Sequence, residues 1–168
     1  MDEKVLLAVG LPVCGMLPEH GSIEMENRII KFPVEFYNFW LQGLNMPRKS
    51  DFSNYSKSIV DNMINEGFFI ECNDHDGQYT FNKIRNLALY RQGIQKEINE
   101  EKIIFAIGDG KIEILKNDIF LNIWQSCNGD NATDIYNKYF ASNMPQEYFG
   151  MGVILLYAQG LLFFSSVV

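Results

Sequence analysis

A chain of 168 residues with a net charge of −7 has room for one domain or two small ones. At 47% hydrophobic and 14% aromatic residues it can bury a substantial core, which excludes an intrinsically disordered chain. The acidic balance works against nucleic acid and anionic membrane surfaces, because both are recognised largely through Lys and Arg.

The first apolar run, Val5–Val9, reads as a short strand. Gly10–Gly21, with two prolines and three glycines, reads as an inserted loop, and Ser22–Lys31 as the returning strand. Pro33 suits a first helical turn, and Val34, Phe36, Tyr37, Trp40, Leu41 and Leu44 recur at helical spacing. A further helix is expected over Tyr55–Glu66, closed by Gly67. Phe68–Cys72 and Gln78–Phe81, joined by the turn Asn73–Gly77, are expected to pair as a wing. Residues 82–102 carry a stripe of Ile84, Leu87, Ala88, Arg91, Ile94 and Ile98 and predict a connecting helix, weakened at Gly93.

Next, Ile103–Ile107 and Lys111–Leu115 flank Asp109-Gly110, the signature of a hairpin. Ile119, Phe120, Ile123 and Trp124 predict a helix capped by Asn117 or Asp118. Ala132–Phe140 predicts a second helix, capped by Asn131 or Thr133 after the turn Asn128–Asn131. The third, Gln146–Gln159, ends at Gly160. Trp40 and Trp124 are expected core anchors. Burying one removes roughly 150–250 Å² from water, about 4–6 kcal/mol at most.

An internal repeat organises these elements. Lys4-Val-Leu-Leu-Ala-Val-Gly10 reads like Lys102-Ile-Ile-Phe-Ala-Ile-Gly108, and each is followed by a tryptophan-bearing segment and then a glycine with an apolar tail. The expected domains are therefore 1–81, with the inserted loop 10–21, and 103–168, joined by the helix 82–102. The uncharged stretch Phe149–Val168 leaves two readings open, a membrane anchor or a buried helix followed by a strand; the matching segment of the first copy, with Asp61 and Glu66, favours the second. Gly150-Met-Gly-Val-Ile-Leu-Leu is apolar nearly all round. It is expected to pack against the first copy or against a second chain, which would make a homodimer.

A hairpin, three helices and a closing strand or wing follow the order of a winged helix-turn-helix. The expected fold class is thus α+β, mainly α, in tandem. The residues Ile119–Gly129, then Ala132-Thr-Asp-Ile135, then Leu155-Leu-Tyr-Ala-Gln-Gly-Leu-Leu162 resemble the PqqD-like family of peptide chaperones, the precursor-peptide recognition elements, over about Lys102–Phe164. The first copy fits more loosely, lacking the Gly-then-Thr turn. The resemblance implies a bacterial, non-catalytic module that takes a precursor's leader peptide as an added strand on the hairpin edge. The implied groove has Lys111, Ile112, Glu113, Ile114 and Leu115 on one side and Tyr148, Met151, Leu155 and Gln159 on the other; each of these also reads as ordinary core or surface. The alternatives are a DNA-binding regulator, disfavoured by third helices poor in basic residues, and a structural subunit of a complex.

No catalytic constellation is legible. There is no GxSxG, HExxH, P-loop or GxGxxG, and no enzyme activity is expected. The three cysteines, Cys14, Cys72 and Cys127, are dispersed without a CxxC pair and read as reduced, buried thiols of a cytoplasmic protein. A pair Cys14 with His20 lacks an orienting partner. Asp74, His75 and Asp76 lack the flanking ligands a calcium loop needs, so neither metal nor cofactor is expected.

Overall fold

The computed structural model describes residues 4–13, 20–25, 28–52 and 54–166. In the first half, β1 (Val5–Ala8) is buried along its whole length and pairs antiparallel with β5 (Phe69–Cys72). Gly10, at φ 103°, turns the chain out of β1 into a three-stranded meander of β2 (Leu11–Pro12), β3 (His20–Met25) and β4 (Arg28–Pro33). Pro33 then stands at the start of α1 (Val34–Gly43), which buries Tyr37 and Trp40. A 3₁₀ turn at Lys49–Asp51 leads to α2 (Asn54–Asn65), and β5 returns to β1.

The second half repeats this order. After α3 (Gly77–Ile84), β6 (Leu87–Arg91) is followed by Gly93 at φ 81° and a second meander of β7 (Ile94–Ile98), β8 (Lys102–Ile107) and β9 (Gly110–Leu115). Then come α4 (Asp118–Ser126), β10 (Asn128–Asn131), α5 (Ala132–Tyr139), α6 (Gln146–Ala158) and β11 (Leu162–Ser166), which returns to pair with β6. The helix caps are those the sequence predicts. Asn117 accepts from the Ile119 and Phe120 amides, and Asn131 from that of Asp134.

The correspondence extends to single hydrogen bonds. The indole of Trp40 donates to the Val9 carbonyl (2.8 Å) and that of Trp124 to the Gln92 carbonyl (3.0 Å), each the residue before the turning glycine. Val9 N–H donates to Phe68, and Gln92 N–H to Leu161. Helices α2 and α6 end alike: Gly67 and Gly160 have φ of 79° and 70°, and Phe68 and Leu161 donate back to Met63 and Leu156, closing a Schellman motif in each. In register, Leu11 opposes Glu24 as Ile94 opposes Ala106, and Met25 opposes Arg28 as Ile107 opposes Gly110.

This register corrects the pairing read from the two heptads. Val5–Ala8 matches β6, and Lys102–Ile107 matches β3. The heptads look alike because both are strands with buried apolar residues, yet β1 lies in a two-stranded sheet while β8 is the middle of a meander. The inserted loop also shrinks: Leu11–Pro12 and His20–Gly21 are strand, and 14–19 lie outside the described residues.

Two further expectations are overturned. Residues 82–102 form no connecting helix; only their start belongs to α3, and the rest is β6, β7 and the beginning of β8. Gly93 in the left-handed region breaks any helix there, and pairing of Leu87–Arg91 with β11 outweighs the helical spacing. Nor is there a wing at 68–81. β5 pairs with β1, and 78–81 lie within α3, whose N-cap Asp76 accepts from the Tyr79 amide (2.8 Å). The hairpin at 103–115 does form, but its turn residues are Gly108 and Asp109, with Gly108 at φ 54°, and Gly110 already opens β9.

Of the two clusters of buried residues, the smaller, around Trp40, lies within the first half, and the larger is shared between the halves. The larger cluster of buried residues joins Val5 and Leu7 of β1 and the following Val9 to Phe105, Trp124, Phe149 and Phe164. Helix α6 crosses α3 where Gly77 faces Glu147 and Gly150, a contact so close that a Cβ on either glycine would strike backbone. The Tyr157 hydroxyl accepts from the Ala8 amide (2.9 Å) and lies 3.1 Å from the Gly43 carbonyl. The all-round apolar α6 is therefore packed against the first half and the helix that links the two.

Candidate peptide groove

β9 is a terminal strand of its sheet, so one side of its backbone is unpaired among the described residues. The Lys116 amide donates to the Glu101 carbonyl (2.8 Å), just beyond the register of β8 with β9. The alternation of an antiparallel ladder then turns the backbone of Gly110, Ile112 and Ile114 toward β8. It leaves the amides and carbonyls of Lys111, Glu113 and Leu115 facing the open side. The side chains alternate as well: Ile112 and Ile114 pack on the core, while Lys111, Glu113 and Leu115 are exposed.

Beside this edge lies a groove of about 290 Å³, walled by Ile114, Leu115, Phe120, Leu155 and Leu156 with Glu113 and Gln159 at its rim. Leu115 is 83% exposed and Leu155 43%. An unpaired strand edge beside an apolar hollow has backbone groups free to hydrogen-bond and a wall that alternate side chains of an added strand could enter.

The outward face of β9 carries a charge cluster. Lys102 and Lys111 donate to the two carboxylate oxygens of Glu113 at 2.8 and 2.9 Å. These hydrogen bonds hold the Glu113 carboxyl down at about 2, and the same contact raises Lys102. The two described cysteines are the opposite case: burial pushes the Cys72 and Cys127 thiols up to about 12, so they stay protonated and unreactive. Cys14 lies outside the described residues. Among the described residues, no cluster of His, Cys, Asp and Glu is arranged to hold a metal.

Of the nine residues expected at the groove, Glu113, Ile114, Leu115, Leu155 and Gln159 line it. Lys111 stands on the same edge, and Ile112 points into the core beneath. Met151 is not part of the wall but packs against Gly77 of α3. Tyr148 lines a different and larger hollow of about 580 Å³, between α4 and the α5–α6 loop, with Ile119, Tyr139 and Met144. Sequence reasoning missed Phe120 and Leu156. Both belong to apolar helical stripes, and nothing in a stripe says which members reach the surface.

No helix among the described residues is long and apolar enough to cross a membrane; the uncharged stretch from Phe149 divides into α6 and β11. No family model, curated protein or solved structure matches the chain.

Proposed function

We propose that the chain is a non-catalytic peptide-binding module of tandem winged-helix type, which captures an extended peptide, such as the leader of a peptide destined for modification, on the edge of β9. The observation that carries this reading is the free backbone of Lys111, Glu113 and Leu115 beside an apolar groove faced by Leu155 of α6. The resemblance of 102–164 to the PqqD-like peptide chaperones agrees with it. DNA binding has less support. The exposed positions of α6 are Glu147, Tyr148, Leu155 and Ala158, none of them basic. Lys49, of the adjacent basic pair Arg48 and Lys49 before α2, is engaged by Asp61 at 2.8 Å and Glu71 at 3.3 Å.

The test is selection of a displayed library of random peptides on the purified protein, followed by affinity measurement of enriched peptides. Leu115→Pro removes one outward amide where the first half already carries Pro33, so the strand tolerates it. It is expected to weaken binding at least about fivefold, since it removes roughly one hydrogen bond and also trims the Leu115 side chain from the wall. Leu155→Asp is expected to abolish binding without unfolding the protein. Enriched peptides indifferent to both substitutions would refute the reading.

A further inference from the structure

The repeat predicts where a second groove should lie, and the structure has one there. β4 is a terminal strand of the first meander, as β9 is of the second. The Val13 amide donates to the Ser22 carbonyl (2.9 Å), so Gly21, Ile23 and Met25 turn their backbone toward β4. By the same alternation, the amides of Ile29 and Lys31 face the open side, and Pro33 offers only its carbonyl. Beside them is a hollow of about 230 Å³ between β4, α1 and α2. Six of the seven residues lining each hollow occupy equivalent positions, Phe68 and Glu113 being the exceptions; four keep their apolar character, Phe32 for Ile114, Pro33 for Leu115, Phe36 for Phe120 and Met63 for Leu156. Two positions change character. Asn62 stands for Leu155, and Glu66 for Gln159.

We infer that the chain holds a second extended peptide segment along β4, one that is shorter than the first and carries a Lys or Arg opposite Glu66. This rests on the reading of β9 as a peptide-binding edge. A pair of unpaired amides instead of three limits the added strand. The carboxylate at the rim, in a chain of net charge −7, selects a cationic residue, while Phe36 and Met63 supply the apolar wall. Ile29, 63% exposed on the outward face of β4, extends the apolar surface that such a strand would cover.

The experiment selects the same random-peptide library on protein whose β9 groove is closed by Leu115→Pro with Leu155→Asp. Enriched peptides are expected to be rich in Lys or Arg next to an apolar residue. They should weaken at least about fivefold on Lys31→Pro, which deletes one outward amide, and lose their cationic preference on Glu66→Lys. Circular dichroism on each variant confirms that the fold is kept. If the closed protein enriches nothing while the unaltered protein enriches peptides lost on Leu155→Asp, the second groove is refuted and the first stands. Peptides that bind the closed protein but ignore both Lys31→Pro and Glu66→Lys also refute it. If the unaltered protein enriches nothing, the parent reading falls instead.

Discussion

At the scale of single residues, two side chains show how environment sets behaviour. Tyr157 is buried, and burial raises its hydroxyl well above the usual phenol range. Its hydroxyl satisfies the Ala8 amide and lies by the Gly43 carbonyl, both in the other half. Tyr157→Phe keeps the ring but strands those groups, and an unpaired buried polar group costs about 1–3 kcal/mol. A lower urea midpoint is expected, and an unchanged one would show that the hydroxyl carries no such role. Glu113 is the exposed counterpart. Its carboxyl is depressed from 4.5 to about 2, so the contribution of its ion pairs is complete above pH 4.5 and fades as pH falls toward 2. Water screens these pairs, so little stability follows, and the proper readout is the NMR titration of the carboxyl carbon. Replacing Lys102 with Met is expected to move that titration upward.

At the scale of elements, α6 sets intrinsic helix preference against packing. Replacing a mid-helix glycine by alanine gains about 1 kcal/mol of helix propensity. At Gly150 the added Cβ meets the carbonyl of Gly77, and backbone cannot yield as a side-chain tip can. Gly150→Ala is therefore expected to destabilise the protein by about 1–3 kcal/mol net. Gly152→Ala meets only the end of Ile123 and is expected to cost less. Denaturant midpoints of the two variants decide the matter, and the reverse order would contradict the crossing. The same close approach gives so apolar a helix its cover within the chain: it packs against α3 and α4, and its Tyr157 reaches the first half.

At the scale of the whole molecule, the halves are repeats in topology but one body in energetics. Gly10 donates to the Phe164 carbonyl at 2.7 Å, Val9 and Phe164 form a parallel bridge, and the larger core draws on both halves. A single calorimetric unfolding transition is expected, with matching calorimetric and van't Hoff enthalpies; two separated transitions would show that the halves fold independently. Much of this was legible in the chain. The caps at Asn117 and Asn131, the helix-ending Gly67 and Gly160, the hairpin at 103–115 and the anchoring by Trp40 and Trp124 follow from local chemistry, since each depends on residues a few positions away. Partnership between strands far apart in the chain did not follow. An apolar run such as Val5–Ala8 satisfies its backbone equally well beside any strand of suitable register, and only the packed fold decides which one it meets. That is why two similar heptads proved to be unlike parts of the repeat, why a helical stripe at 87–98 became two strands around Gly93, and why the groove along β4 came to light only once the halves were aligned by their hydrogen bonds.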